Sequence, residues 1–467
     1  MTRDTGLRGT SRRDFIRGVF AASAALGLGP TRAFDILDKM GGSALADVGS
    51  PAFMVNIVLG TGALSRATVI FPVPRIVEQN QGDYAIDGPQ RFRRIALANG
   101  RKLYSRVVDG KPVFEKRPFT VMVAGSAQAH STFPGFNGNT VQITQDGGGN
   151  LFSAASVIQR SLNALIPAIG IQRNGQSPNF APVAAGAPAP SLVPDGQAMV
   201  DLFSSAASRL MTRLAPASNQ ELFRQYHTAF MGLTQWAERP TYERARGDSR
   251  TALGLVVKNL ATELAVKSGQ VADWGGQVAQ TDARLKALTE ALIVTANAFR
   301  LGLCAQVTLP AFNDDPHGAF AGNPTDLFDG LARVLQRFQS ELDNTPDPTN
   351  PGKKIGDRVV LTMSGDTPKN PYQRNGWPDG TPGGMNLLFV QGAGLLQPGW
   401  IGDVQPNARV NWDPVTGQDN MNTPTAVCTS AACGAVLYAV SGGKKDAVRP
   451  YYSGPMDGAI IQSLTGA

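Results

Sequence analysis

Five short apolar runs, rich in β-branched residues and each closed by glycine, proline or Asn/Asp, limit what this chain can fold into. They are Pro51–Leu59, ended by Gly60-Thr61-Gly62; Phe119–Ala124, ended by Gly125-Ser126; and Leu303–Leu309, ended by Pro310 and then Asn313-Asp314-Asp315. The others are Arg358–Met363, ended by Ser364-Gly365-Asp366, and Asn386–Val390, ended by Gly392-Ala393-Gly394. Strands that are apolar on both faces belong inside a sheet covered on both sides. Long helical patterns separate them: Leu151–Ile166, Met199–Leu214, Asn219–Glu238, Thr251–Lys267, Thr281–Leu301 and Asp326–Leu342. The last carries Leu327, Phe328, Leu331, Val334, Leu335 and Phe338 at helical spacing, a stripe for the core. The expectation is an α/β fold with a mostly parallel central sheet and helices on both faces.

Breaks in this pattern mark insertions. Arg101–Lys116 reads as a β-hairpin turning at Asp109-Gly110. Residues 174–196 are rich in Ala, Pro and Gly without periodicity and read as a flexible surface segment. Asn344–Gly356 and Gln397–Thr423 read as further loops, and Thr423–Val440 as a helix. No internal repeat is present. Residues 34–467 are expected to form one domain with a helical insert at about 197–302.

The start of the chain is of another kind. Ser11-Arg12-Arg13-Asp14-Phe15-Ile16-Arg17 precedes a short, weakly apolar run, Val19–Gly29, and Thr31-Arg32-Ala33 offers a small-x-small cleavage site. Residues 1–33 read as a twin-arginine signal peptide, which implies the Tat translocase as an export partner and a periplasmic or secreted protein that folds before export. The run is too short to span a bilayer, which takes about 20 residues. No later segment reads as a transmembrane helix. The formal charge is +7, of which six arginines against Asp4 and Asp14 place +4 in the signal. The near-balanced remainder, without a basic run interleaved with aromatics, speaks against nucleic acid.

Three cysteines, Cys304, Cys428 and Cys433, leave at least one thiol unpaired within the chain. Five residues apart on a helix, Cys428 and Cys433 point to different faces, so a bridge between them needs an irregular backbone. Cys304 opens an apolar strand and reads as a small core residue.

Ligands of open α/β sheets bind beyond the carboxyl ends of the strands. That rule gathers Gly60–Ser65, Ala129–Thr132, Asn313–His317, Ser364–Lys369 and Gly380–Asn386 into one neighbourhood. The candidate ligands of one divalent metal ion are His130, Asp314, Asp315, His317 and Asp366, and Thr61 is the candidate nucleophile. A hydrogen-bonded network that staples loops is the alternative for the same groups. His227 reads as structural or solvated. The G-x-S-x-G elbow, the complete G-x-G-x-x-G fingerprint and the Walker lysine loop are all absent.

Taken in order, several of these segments resemble the exported bacterial proteins of domain of unknown function 1501, relatives of the sulfatases and alkaline phosphatases. After the twin-arginine signal, Met54–Pro72 (MVNIVLGTGALSRATVIFP) is similar to that family's opening strand, glycine turn and return to proline. Phe119–Phe136 is similar to its second strand and His/Ser/Phe turn. Phe312–His317 (FNDDPH) resembles its F-D-T-H segment, and Val359–Asn370 (VVLTMSGDTPKN) its strand into E-F-G-R-T-P-R. Leu388–Val404 is similar to its later strand, glycine turn and I-G segment. The resemblance implies an alkaline-phosphatase/sulfatase-like fold. It also implies departures in chemistry: Met363 and Asp366 stand where the family has glutamate and arginine, and Gly380–Asn386 lacks its Asp-His pair. The expected function is therefore an exported envelope protein that lacks the usual metal-dependent hydrolase site and binds an envelope protein, polymer or ligand. Two alternatives stay open: a phosphate or sulfate ester hydrolase with an altered site, and an envelope assembly or structural protein.

Overall fold

The computed structural model of the chain describes residues 50–60, 62–79, 91–126, 149–162, 164–172, 178, 180–181, 183–213, 260–313, 325–347, 350, 352–365, 368–373 and 385–455, with backbone alone at 126, 205–213, 313, 325 and 385. Its strands are β1 (Phe53–Gly60), β2 (Phe92–Arg94), β3 (Tyr104–Val108), β4 (Lys111–Pro112), β5 (Thr120–Ser126), β6 (Ile166–Ile171) and β7 (Ser191–Val193). They continue with β8 (Cys304–Asn313), β9 (Val359–Gly365), β10 (Met385–Gly392), β11 (Gly399–Ile401), β12 (Asp403–Gln405) and β13 (Ala408–Val410). The helices begin with α1 (Ser65–Ile70), α2 (Pro74–Gln79), α3 (Leu151–Ile158), α4 (Gly196–Arg213) and α5 (Leu260–Leu264). They end with α6 (Gln270–Gly275), α7 (Gln277–Thr281), α8 (Ala283–Arg300), α9 (Thr325–Asn344), α10 (Thr425–Val440) and α11 (Lys445–Val448). Two units separate by their contacts, 48–199 with 264–467, and 1–47 with 200–263. Of the second unit, only residues 200–213 and 260–263 are described. Among the described residues, no helix is long and apolar enough to cross a membrane.

In the larger unit, eight strands form one sheet in the order β11-β5-β10-β9-β1-β8-β6-β7. β1 runs parallel to both of its neighbours, β8 and β9, and β8, β6 and β7 continue that direction. β10 alone is reversed, antiparallel to β9 and β5, while β11 is parallel to β5. The described fold is thus α/β around a mixed sheet. Every residue of β1 is buried, as its two-sided apolar sequence requires. Two groups of helices cover the sheet. α8 and α9 pack together, and Phe299 of α8 stacks on Phe53 at 4.9 Å between ring centroids. α3 and α10 pack together, and α10 lies against β5, β9 and β10.

A polar row crosses this apolar interior. Asn56 Nδ2 donates to Thr308 Oγ1 at 3.0 Å, and Thr362 Oγ1 donates to Asn56 Oδ1 at 2.8 Å. The three residues stand in register on β8, β1 and β9. A slip by one residue would strand each of them among apolar groups, so the row fixes the pairing of the central strands. At the amino end of β9, Arg358 pairs with Asp347, donates to Pro51 O at 2.6 Å and lies 4.8 Å from the Phe53 ring centroid.

The hairpin forms as its sequence expects, with Asp109 (φ 51°) and Gly110 (φ 77°) both left-handed, as a two-residue primed turn needs. Elsewhere the structure corrects the sequence reading. The helix from Leu151 stops at Ile158 and passes through a 3₁₀ turn, and Ile166 opens β6 instead of closing the helix. Pro167 and Gly170 are poor helix residues, and Ala168 to Ile171 are buried in the sheet. The third expected strand runs past Leu309 to Asn313, because Pro310 lies where the register with β1 shifts, a position that tolerates the missing N–H. The Ala/Pro/Gly segment at 174–196 contains edge strand β7, and Gln397–Thr423 contains β11, β12 and β13. The helix expected at Asn219–Glu238, with His227, lies outside the described residues.

Candidate functional site

The strand directions bring described backbone to one edge. β1, β5, β8 and β9 finish there at Gly60, Ser126, Asn313 and Gly365, and the reversed β10 starts there at Met385. Gly60 stands beside Asn313, Leu59 beside Gly365, and Met385 beside Ser126. Asn386 Nδ2 donates to Gly365 O at 3.2 Å, tying the start of β10 to the end of β9. Thr61, His130, Asp314, Asp315, His317 and Asp366 all lie outside the described residues. What is described is the frame on either side of them.

That frame is built around the first turn after β1. Gly62 takes φ 79°, which favours glycine, and Ser65 Oγ donates back to Gly62 O at 2.8 Å, closing the turn into α1. The same Ser65 Oγ accepts the backbone N–H of Lys369, so the segment after β9 is fastened to the start of α1. Lys369 is 1% exposed and Arg66 2% exposed. The Arg66 guanidinium lies 4.7 Å from the centroid of the Phe312 ring, near the end of β8, and that of Arg284 lies 5.5 Å from the same centroid. Arg284 is held in turn by Asp282, the N-cap of α8, through a 2.5 Å contact from Nη2. Burial pushes the Asp282 carboxyl up, but hydrogen bonds from the Arg284 side chain and the Leu285 and Arg284 N–H groups outweigh it and hold it below the ordinary range.

The described edge thus carries the guanidinium groups of Arg66 and Arg284 and the joined Ser65 hydroxyl and Lys369 N–H. Guanidinium and ammonium groups do not ligate a metal cation; they attract anions. Among the described residues, no three His, Cys, Asp or Glu side chains converge as a metal site would require. The five candidate ligands lie outside the described residues, and no hydrolytic step is derived through a divalent ion. Sequence reasoning named the segments Gly60–Ser65 and Ser364–Lys369 but passed over Arg66 and the Lys369 side chain. The sequence marked Arg66 only as the lone charge within Ala63–Phe71 and marked the Lys369 side chain not at all.

All three cysteines are buried, and none is in a disulfide. Cys428 and Cys433 lie on the regular helix α10, where their spacing keeps them apart, and Cys428 Sγ donates to Trp412 O at 3.2 Å. Comparison of the chain with protein-family models, with curated proteins and with solved structures finds no match.

Proposed function

We propose that this chain is an exported envelope protein that uses a sulfatase-like sheet as a scaffold to bind an anionic ligand or partner, in place of metal-dependent ester hydrolysis. The observation that carries the reading is the corner built at the carboxyl ends of β1 and β9, where Ser65 Oγ accepts the Lys369 N–H and the Arg66 and Lys369 side chains are both buried. Basic side chains gathered at the carboxyl ends of sheet strands suit a ligand that carries negative charge. The twin-arginine signal supports the envelope setting. The departures at Met363, Asp366 and Gly380–Asn386 from the family that the sequence resembles support the loss of hydrolysis.

The test is calorimetric titration of the purified protein with inorganic phosphate and sulfate, beside elemental analysis for metals and assays on aryl phosphate and sulfate esters. The expected outcome is anion binding without bound metal or turnover, with affinity falling at least tenfold in Lys369→Met. Metal-dependent turnover would establish the hydrolase instead. Failure of the wild-type protein to bind either anion would remove the binding site.

A further inference from the structure

We propose that residues 91–117 form a basic ribbon that holds the protein against an anionic phospholipid surface. This stretch contains nine Arg and Lys residues against Asp109 and Glu115, a net of +7 that equals the formal charge of the entire chain. It folds as the antiparallel ribbon β2-β3-β4, leads into the amino end of β5, and packs on α9. The proposal does not rest on the reading of the carboxyl edge.

Ion pairs divide the nine cations into two sets. Arg91 and Arg106 share Asp329, at 3.2 and 2.6 Å, and Lys102 meets Glu78 at 2.7 Å. Arg117 reaches Asp343 and Asp357, at 2.7 and 2.9 Å, and Arg101 feels the charge of Asp419. Four of these five are fastened to the body of the protein by ion pairs, and Arg101 is partly buried against it. Arg93, Arg94, Lys111 and Lys116 are exposed, and among the described residues none has a carboxylate within ion-pair distance. Arg93 Nη1 donates to Gly110 O at 3.1 Å, which brings its charge to the hairpin turn beside Lys111. Arg333 engages Asp109 at that turn at 2.7 Å, so the acidic group of the tip is already occupied.

The chemistry around these four charges favours a membrane surface over other polyanions. Phe92 and Phe114 are buried, which leaves the half-buried Tyr104, its hydroxyl tied to Glu78 at 3.2 Å, as the ribbon's one accessible ring, too little for a base-stacking platform. None of the exposed large apolar side chains lies on it, so nothing inserts into the bilayer. What remains is charge alone, which suits a plane of anionic headgroups and is screened by salt.

Flotation of the full chain with vesicles of mixed phosphatidylglycerol and phosphatidylcholine tests this. Because the leader also carries arginines, the comparison is between wild type and R93Q/R94Q/K111Q/K116Q. Each such charge at an anionic surface contributes about fivefold in binding, so the variant is expected to bind at least two orders of magnitude more weakly. Wild-type binding is expected to be lost in high salt and absent from vesicles of phosphatidylcholine alone. Equal binding of wild type and variant, or no wild-type binding to the anionic vesicles, would overturn the proposal. Tighter binding of soluble polyphosphate or DNA than of the vesicles would also overturn it, in favour of a polymer partner. Should thermal melting show the fourfold variant unfolded, K111Q/K116Q alone is expected to weaken flotation about 25-fold.

Discussion

The Leu59 carbonyl oxygen occupies the space that a side chain on Gly365 would need. The two residues are register partners at the carboxyl ends of β1 and β9, so this tight contact falls at the edge where the candidate site is framed. Only a residue without a Cβ lets Asn386 donate to Gly365 O while Lys369 reaches Ser65 in the same corner.

Gly365→Ala is therefore expected to push β9 away from β1 and to cost about 3 kcal/mol of stability, the upper range of an overpacking change. Chemical denaturation should show the lower midpoint, and anion titration should show weakened binding in whatever fraction stays folded. An alanine variant as stable as wild type would mean that the strand ends separate freely.

Acid sensitivity follows from two carboxylates. Asp282 and Asp357 both sit below the ordinary value of 3.8. In each, burial raises the value but is outweighed by hydrogen bonds: from Arg284 and backbone N–H groups at Asp282, from the Lys354 N–H and Arg117 at Asp357. A folded-state value below the unfolded one contributes stability that is complete above the unfolded value. That stability is lost as pH falls through the folded value. Melting temperature is expected to drop as pH goes below about 4, and to drop less steeply in Asp282→Asn/Asp357→Asn. Identical acid profiles for variant and wild type would remove these two groups from the account.

Thiol chemistry offers a third check. Burial pushes the Cys304 thiol beyond its ordinary range and raises that of Cys428 as well, and all three cysteines are buried outside any disulfide. Protonated, enclosed thiols react slowly. The native protein is expected to release no colour from a thiol-exchange reagent within minutes, and the denatured protein to titrate three thiols. A result of one thiol after denaturation would reveal a disulfide that the helical placement of Cys428 and Cys433 does not allow.

What was legible in the sequence followed from local chemistry. Two-sided apolar runs became β1, β5, β8, β9 and β10, and Asp109-Gly110 became a turn because both residues tolerate positive φ. β7 and β11, three residues each, are too short for a period to register. The reversal of β10 has no local signature at all; it is set by pairing with β9 and β5 from distant parts of the chain. Arg66 and Lys369 escaped notice for a related reason. A single cation shows nothing of its burial until the strands that enclose it are assembled. The ribbon was visible only as a hairpin, since the ion pairs that sort its cations run to α9 and to residues beyond it in sequence.

Asn56 meets Thr308 and Thr362 across separations of 252 and 306 residues. On a ribosome adding about 5–20 residues per second, the opening strand waits roughly 15–60 s for its second neighbour to be made. Until β8 is made, over most of that interval, an apolar segment with an amide in its middle lacks both of its sheet neighbours, the kind of segment that invites aggregation or a chaperone's grip. The centre of this molecule cannot close until residue 362 of 467 has been made.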